Sequence, residues 1–353
     1  MQMTLRWFGN GLDTVTLDQI RQIPGVVGVV PALHDLPAGE VWPLERLQAL
    51  RDTVHAAGLT MECIESVNVS DDIKLGNATG QKHIQNYIES IRNCAAVGVK
   101  VICYNFMPVF DWTRTDMAMP LSDGSTCLCY DAKHVEGKSP EDIFRELSES
   151  GDFAMPGWEP FRIPTIKALF AAYKGVTADD LRANLKAFLD AITPVCEECG
   201  VKMAIHPDDP PWPIFGLPRI LSTADDLRWL FSAVPSEMNG STFCTGSFGA
   251  GSFNDLPAMI REFGPRIYFA HLRNVEQRPG WFNETAHLSS AGSLDMYAIV
   301  KALHDCAPHW VFVRPDHGRM LWGETARPGY GLYDRALGAA YLNGLFEAVE
   351  KGS

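Results

Sequence analysis

Four side chains suited to a divalent transition metal, His206, Cys244, His271 and Asp316, each lie near the carboxy end of an apolar run. The runs are VKMAIHP (201–207), TFCTGSF (242–248), IYFAHLRN (267–274) and WVFVRPDHG (310–318), and each is separated from the next by enough chain for one helix. Two imidazoles, a thiolate and a carboxylate make a suitable shell for such an ion. Taken singly, a strand-end histidine is more often a satisfied polar group than a ligand, and a strand cysteine is usually a small hydrophobe. Four such residues on four consecutive runs are harder to explain as packing, because buried polar groups need partners and a metal supplies one. His317 follows Asp316 directly, and a kink there would turn it toward the same site. The next loop, WGETARPGYGLYD (322–334), carries Arg327, Tyr330 and Tyr333. A metal, a histidine and a tyrosine suit proton abstraction beside a carboxylate with loss of a hydroxyl group. Arg327 or Arg273 can hold a substrate carboxylate by a forked contact. Asn105 and Asp209, also near strand ends, are further candidate substrate contacts, although Asp208-Asp209-Pro210-Pro211 reads equally as a turn.

The elements that must position these residues form a regular series. Four earlier apolar runs, LRWFG (5–9), VVGVV (26–30), TMECIE (60–65) and VICYNF (101–106), precede the four above. Most are continuous rather than alternating, as expected of strands buried on both faces of a parallel sheet. Helical patterns separate them at 43–57, 81–97, 177–199, 254–263 and 293–306, with a last one at 333–349. Glycine follows several of these directly, at Gly58, Gly98 and Gly200, as helix ends favour. Eight strand–helix repeats predict an α/β fold, a (β/α)8 TIM barrel spanning 1–353 as one domain. A doubly wound open sheet is the competing architecture, but no glycine-rich dinucleotide fingerprint follows the first strand. One interval is too long for a single helix. The segment 107–173 after the fourth strand reads as a lid or an oligomer contact. Its aromatic residues, among them Trp112, Tyr130, Trp158 and Tyr173, argue against disorder.

Charge and composition exclude several classes. A formal net charge of −13 without a basic run argues against nucleic acid as a partner. No stretch approaches the ~20 apolar residues of a membrane span, and the first residues lack a signal-peptide pattern. The nine cysteines are scattered and odd in number, which fits a reducing cytoplasm better than a disulfide framework. Cys196-Glu-Glu-Cys199 has no second pair and falls at a helix end, so a metal role is disfavoured. Gly246–Gly251 lacks the Lys-Ser/Thr of a P-loop and reads as a plain βα turn.

Longer motifs carry a resemblance. RWFGNGLDTVTLDQIRQIPGVVGVV, ECIESVNVSDDIKLG, CYNFMPVFDWTRTD, AIHPDDPPWPIFGLPRI, FAHLRNV and RPDHGRMLWGETARPGYGLYDRALG closely resemble the mannonate dehydratase family over essentially the whole chain. That family is similar to the xylose-isomerase-like barrels. The resemblance implies conversion of D-mannonate to 2-keto-3-deoxy-D-gluconate and water during hexuronate (glucuronate) breakdown, with Mn2+ or another divalent ion such as Fe2+. It places the metal ligands on His206, Cys244, His271 and Asp316, the catalytic histidine on His317, and the catalytic tyrosine on Tyr330 rather than Tyr333. Thiolate ligation by itself leans toward zinc or iron, so residue chemistry and resemblance differ over the ion. Two other functions fit the scaffold: a metal-dependent sugar isomerase, which usually wants more metal-binding carboxylates, and a non-catalytic sugar-acid binder. The aromatic insertion suggests a homodimer or higher homo-oligomer.

Overall fold

In a computed structural model, which describes residues 1–139, 142 and 163–352, eight parallel strands form the barrel. They are β1 (Gln2–Arg6), β2 (Val26–Val30), β3 (Cys63–Glu65), β4 (Val101–Tyr104), β7 (Lys202–Ile205), β8 (Asn239–Cys244), β9 (Ile267–His271) and β12 (Phe312–Arg314). The remaining strands, β5 (Asp116–Pro120), β6 (Thr126–Asp131), β10 (Val275–Arg278) and β11 (Trp281–Glu284), form a second, antiparallel sheet. In the barrel the order β2-β1-β12-β9-β8-β7-β4-β3 follows the chain except for the wrap from β1 to β12. Closure between β2 and β3 rests on a bridge at Gly28 and Thr60: Val29 N–H donates to the Thr60 carbonyl and Thr60 N–H to the Val27 carbonyl, each at 3.0 Å. Gly28 is required there, since a Cβ would lie 2.7 Å from the Thr60 carbonyl oxygen.

Alternation along the strands divides the core in two. Val30, Cys63, Val101, Cys103, Ala204, Tyr268, Phe269 and Phe312 form one cluster, filling the barrel. Their neighbours, such as Val29, Ile64, Ile102, Met203 and Val313, join the large cluster beneath the helices. The expected helices are present, as Leu44–Ala56, Ala78–Ala96, Ala178–Cys199, Leu256–Phe263, Met296–Cys306 and Leu332–Gly352. Capping sets several starts: Thr177 accepts from Asp180 N–H while Asp180 reaches back to the Thr177 N–H.

Most strands are shorter or shifted relative to the sequence reading, and for three of them the local reason is plain. β1 begins at Gln2 rather than residue 5, pulled into the sheet by pairing with Phe312. β8 stops at Cys244, because Cys244 Sγ caps a short helix, Thr245–Gly249, by accepting from Ser247 N–H. β12 stops at Arg314, since Pro315 has no N–H and Asp316 turns left-handed at φ 62°. The segment 107–173, expected to be a lid or an oligomer contact, contributes β5, β6 and the helix Ile163–Ala172. Its strands pair with the hairpin β10–β11 in the order β10-β11-β6-β5. The sheet sits at the carboxy-terminal end of the barrel, where Thr126 pairs with Met320. Of its aromatic residues, Trp158 lies outside the described residues. Tyr130 and Tyr173 are buried in the chain's own packing, Tyr173 with its hydroxyl donating to Asp71 Oδ1 at 2.8 Å.

Candidate active site

The strand ends converge as barrel geometry requires. One ligand atom from each of His206, Cys244 and His271 lies within 4.8 Å of the others. Asp316 closes the group, with Oδ2 3.6 Å from Cys244 Sγ and Oδ1 3.7 Å from His271 Nδ1. His206 Nδ1 is 2.7 Å from the Pro207 carbonyl, so that nitrogen carries the proton and Nε2 keeps its lone pair. Three buried polar atoms that make no well-directed hydrogen bond collect here: His271 Nε2 and Glu65 Oε2, 3.4 Å from each other, and Asp316 Oδ1, which has Arg314 Nη2 at 2.7 Å. Tetrahedral ligands about 2.0–2.3 Å from one ion lie roughly 3.3–3.8 Å apart, so a trio within 4.8 Å closes on a common centre with shifts of up to about an ångström. Donor chemistry and spacing fit a divalent metal.

The left-handed backbone of Asp316 is the kink that the sequence required. It lets the Asp316 carboxylate and the His317 ring face the same cavity, of about 240 Å³, which both line with His206, Asn105, Arg327 and Tyr330. A non-glycine residue seldom adopts this conformation, and such outliers concentrate at functional sites. His317 is bracketed by two contacts of 2.8 Å, from Nε2 to the Tyr330 hydroxyl and from Nδ1 to Glu284 Oε1. Trp112, from the inserted segment, lies over it at 5.0 Å between ring centroids. Tyr330 is buried, whereas Tyr333 is 41 % exposed and packs on Trp322 outside the cavity. Burial pushes the Tyr330 hydroxyl up to about 12, against the pull of Arg314.

A buried ion network underlies these groups. Arg114 holds both oxygens of Asp209 at 2.8 and 3.0 Å and reaches Glu284 Oε1 at 3.2 Å. Arg273 binds Asp209 Oδ2 at 2.7 Å and Asp316 Oδ2 at 2.9 Å, and also contacts Glu284. Arg314 joins Asp316 at 2.7 Å to Glu65 at 3.0 Å. Burial alone would raise the Asp316 carboxyl, but Arg314, His317, His271 and Arg273 outweigh it and hold it well below the usual range. The same contest, with Arg273, His317 and Arg114 on the winning side, lowers Glu284.

The four candidate substrate contacts therefore separate. Arg273 and Asp209 line the cavity, but their charged groups are directed at protein partners, so the expected forked contact from Arg273 to a substrate carboxylate is already taken. Arg327 is exposed, stacks over Phe8 at 4.3 Å, and has no ion pair among the described residues. Asn105 donates to Asp111 Oδ1 at 3.0 Å and accepts from Met107 N–H at 3.2 Å, at the cavity wall. Asp208 staples the turn after β7, accepting from the Ile220 and Leu221 N–H groups. The sequence reading missed Arg6, Glu65, Arg114, Glu284 and Arg314. Arg6, Glu65 and Arg314 were visible as charges inside apolar strand runs.

Comparison with known proteins gives the family. A family model described as D-mannonate dehydratase (UxuA) matches residues 1–353. The chain is 54 % identical to a mannonate dehydratase of Thermotoga petrophila over 99 % of this chain and 98 % of that one. It is 52 % identical to one from Lactococcus lactis subsp. lactis, covering 99 % of each. Its fold superposes on the crystal structure of the mannonate dehydratase from Streptococcus suis serotype 2 with a TM-score of 0.90, at 45 % identity, covering 100 % of this chain and 95 % of that one. A xylose isomerase domain protein from Planctomyces limnophilus, at 15 % identity and a TM-score of 0.56, covering 99 % of this chain and 98 % of that one, shares the barrel fold alone. With its metal-suited strand ends and its histidine–tyrosine pair on one cavity, the chain belongs to the mannonate dehydratase family of hydro-lyases.

Proposed function

We propose that the chain dehydrates D-mannonate to 2-keto-3-deoxy-D-gluconate in the breakdown of hexuronates, with a divalent metal held by His206, Cys244, His271 and Asp316. The observation that carries this is the meeting of those four side chains at the strand ends, with His206 and Asp316 lining the same cavity as His317 and Tyr330. A bound cation would supply positive charge to the carboxylate and neighbouring hydroxyl of the substrate, favouring charge build-up beside C1. The chain's own residues then move the protons. His317 Nε2 takes the C2 proton. Tyr330, which holds its proton at neutral pH, donates it to the departing C3 hydroxyl, and water leaves. A proton passed from His317 to Tyr330 across their 2.8 Å contact restores both groups, and the enol left behind ketonises. Arg327, free of ion pairs among the described residues, is suited to the polar end of the substrate. Manganese follows from the family resemblance, and iron is the alternative that a thiolate ligand favours.

Metal-stripped protein should form a 2-keto-3-deoxy acid from D-mannonate after addition of Mn2+ or Fe2+, and not before. No product with any divalent metal, or undiminished turnover in excess chelator, would refute the reading. A cytoplasmic location is part of the proposal. All nine cysteines are unpaired, and among the described residues no helix is long and apolar enough to cross a membrane. We also propose a homodimer or higher homo-oligomer, supported by exposed Trp322, Tyr333 and Leu337, which share one surface groove. Sedimentation equilibrium giving a monomer at working concentration would remove that part.

A further inference from the structure

The hairpin β10–β11 and the inserted strands deliver one carboxylate to the back of His317. Glu284 ends β11, is buried, and places Oε1 2.8 Å from His317 Nδ1. Arg273 Nη1 lies 3.3 Å from the same nitrogen, so two tautomers must be weighed. A bare Nδ1 would set its lone pair against a carboxylate oxygen at the shorter distance, which is repulsive. A protonated Nδ1 donates to that oxygen, and the longer arginine contact loses little. The shorter contact decides: Nδ1 carries the proton, and Nε2 presents its lone pair to the Tyr330 hydroxyl.

We propose that Glu284 is a positioning residue for the dehydration, fixing the tautomer and orientation of His317, with Arg114 of the inserted segment and Arg273 holding it in place. This rests on the proton-transfer roles given above to His317 and Tyr330. The clamp is specific. Arg114 Nη2 reaches the same Oε1 at 3.2 Å, and Arg273 Nη1 also binds it, so the oxygen facing His317 is held from three sides. The long insertion then has a use beyond covering the cavity. β6 pairs with β11 at Cys129–Asn283 and Tyr130–Phe282, which sets where Glu284 emerges. Arg114, just before β5, supplies a charge that the barrel's own strands do not.

Glu284→Gln is the discriminating variant. It keeps the size of the side chain, but its amide N–H₂ can donate to Nδ1 and stabilise the other tautomer, which puts a proton on Nε2 and blocks acceptance there. Loss of the anion behind a catalytic histidine is costly in this way, by about 100-fold or more in kcat. The expected result is that fall in kcat, with KM for D-mannonate changed less than about threefold and metal content near that of the wild type, beside a lower melting temperature from the loss of one anion of the buried network. Glu284→Asp should recover part of the lost kcat. In a His317→Gln background, adding Glu284→Gln should cost nothing further, because the two act as one unit. If Glu284→Gln retains kcat while His317→Gln and Tyr330→Phe abolish it, the inference fails and the proton-transfer reading stands. If His317→Gln and Tyr330→Phe also retain kcat, that reading fails with it. Should Glu284→Gln not fold, Glu284→Asp, which keeps the anion but draws it back from His317 Nδ1, should give a smaller fall in kcat at little changed KM, and a wild-type kcat there would overturn the inference. A rise in KM and a fall in melting temperature without a kcat effect would reduce Glu284 to a structural role.

Discussion

Replacing Arg114 with methionine removes one cation from a buried cluster and leaves its carboxylates in place. Arg114 is fully buried and bonds both oxygens of Asp209, one oxygen of Glu284 and the Thr113 carbonyl. The connected network has Arg114, Arg273 and Arg314 as cations and Asp209, Glu284, Asp316 and Glu65 as anions. Without Arg114, two cations face four carboxylates that are largely buried. Breaking a buried ion pair from one side costs about 3–5 kcal/mol, because the remaining charge stays desolvated. Methionine fills most of the space, so little of that loss comes from a cavity. The measurement is urea unfolding followed by tryptophan fluorescence at pH 7, with Arg228→Met as the control. Arg228 makes its pairs in the open, with Asp225 and Glu262, and its loss should leave the midpoint in place. The pH dependence gives a second check. Asp209 and Glu284 are held below the ordinary carboxylate range, Asp209 chiefly by Arg114 and Arg273 against the effect of burial. A depressed carboxylate adds stability above its unfolded value, about 3.9 for Asp and 4.3 for Glu, and loses it as pH falls toward the folded value. The variant has less of this to lose, so its deficit should shrink as pH falls below about 5. A deficit under about 1 kcal/mol at pH 7, or one that grows in acid, would show that the network is not energetically what the geometry implies.

Three other outcomes follow from particular contacts. Cys244→Ser should lower bound divalent metal, measured by elemental analysis, with affinity weakened at least about 10-fold and activity falling with it; unchanged metal and activity would remove Cys244 from the shell. Tyr330→Phe should cut kcat by about 100-fold or more, while Tyr333→Phe, outside the cavity, should leave it unaltered; equal effects would undo the distinction. Gly329→Ala should lower kcat by displacing the loop that carries Tyr330, since Gly329 has φ 78° and a Cβ there would lie 2.7 Å from Leu128 Cδ1. Its melting temperature should fall only slightly, because the barrel does not depend on that loop, and wild-type turnover would refute the argument.

The parts of the site that the sequence made legible are those set by strand period and strand end. His206, Cys244, His271 and Asp316 could be grouped because each lies at or just past the end of a buried parallel strand, and barrel geometry turns that shared position into proximity. The kink at Asp316 was anticipated only as a need, since no propensity rule favours a left-handed aspartate strongly enough to assign it. The second sheet was missed although its turns are present: Asp123-Gly124 separates β5 from β6, and Pro279-Gly280 separates β10 from β11. Such pairs between short extended runs are hairpin signals. They were outweighed by the length of the insertion and by its few alternating positions. Glu284 was the least legible residue, because its significance lies in pairing between segments about 150 residues apart in the chain, a scale on which local periodicity carries no information. Arg273 illustrates the opposite error. Its position beside the strand end was read correctly, but a guanidinium next to a cavity looks available until the carboxylates around it are placed, and here they take it first. Sequence order thus locates the groups that strands present directly, whereas the groups that orient them come from elements whose partners only the folded chain defines.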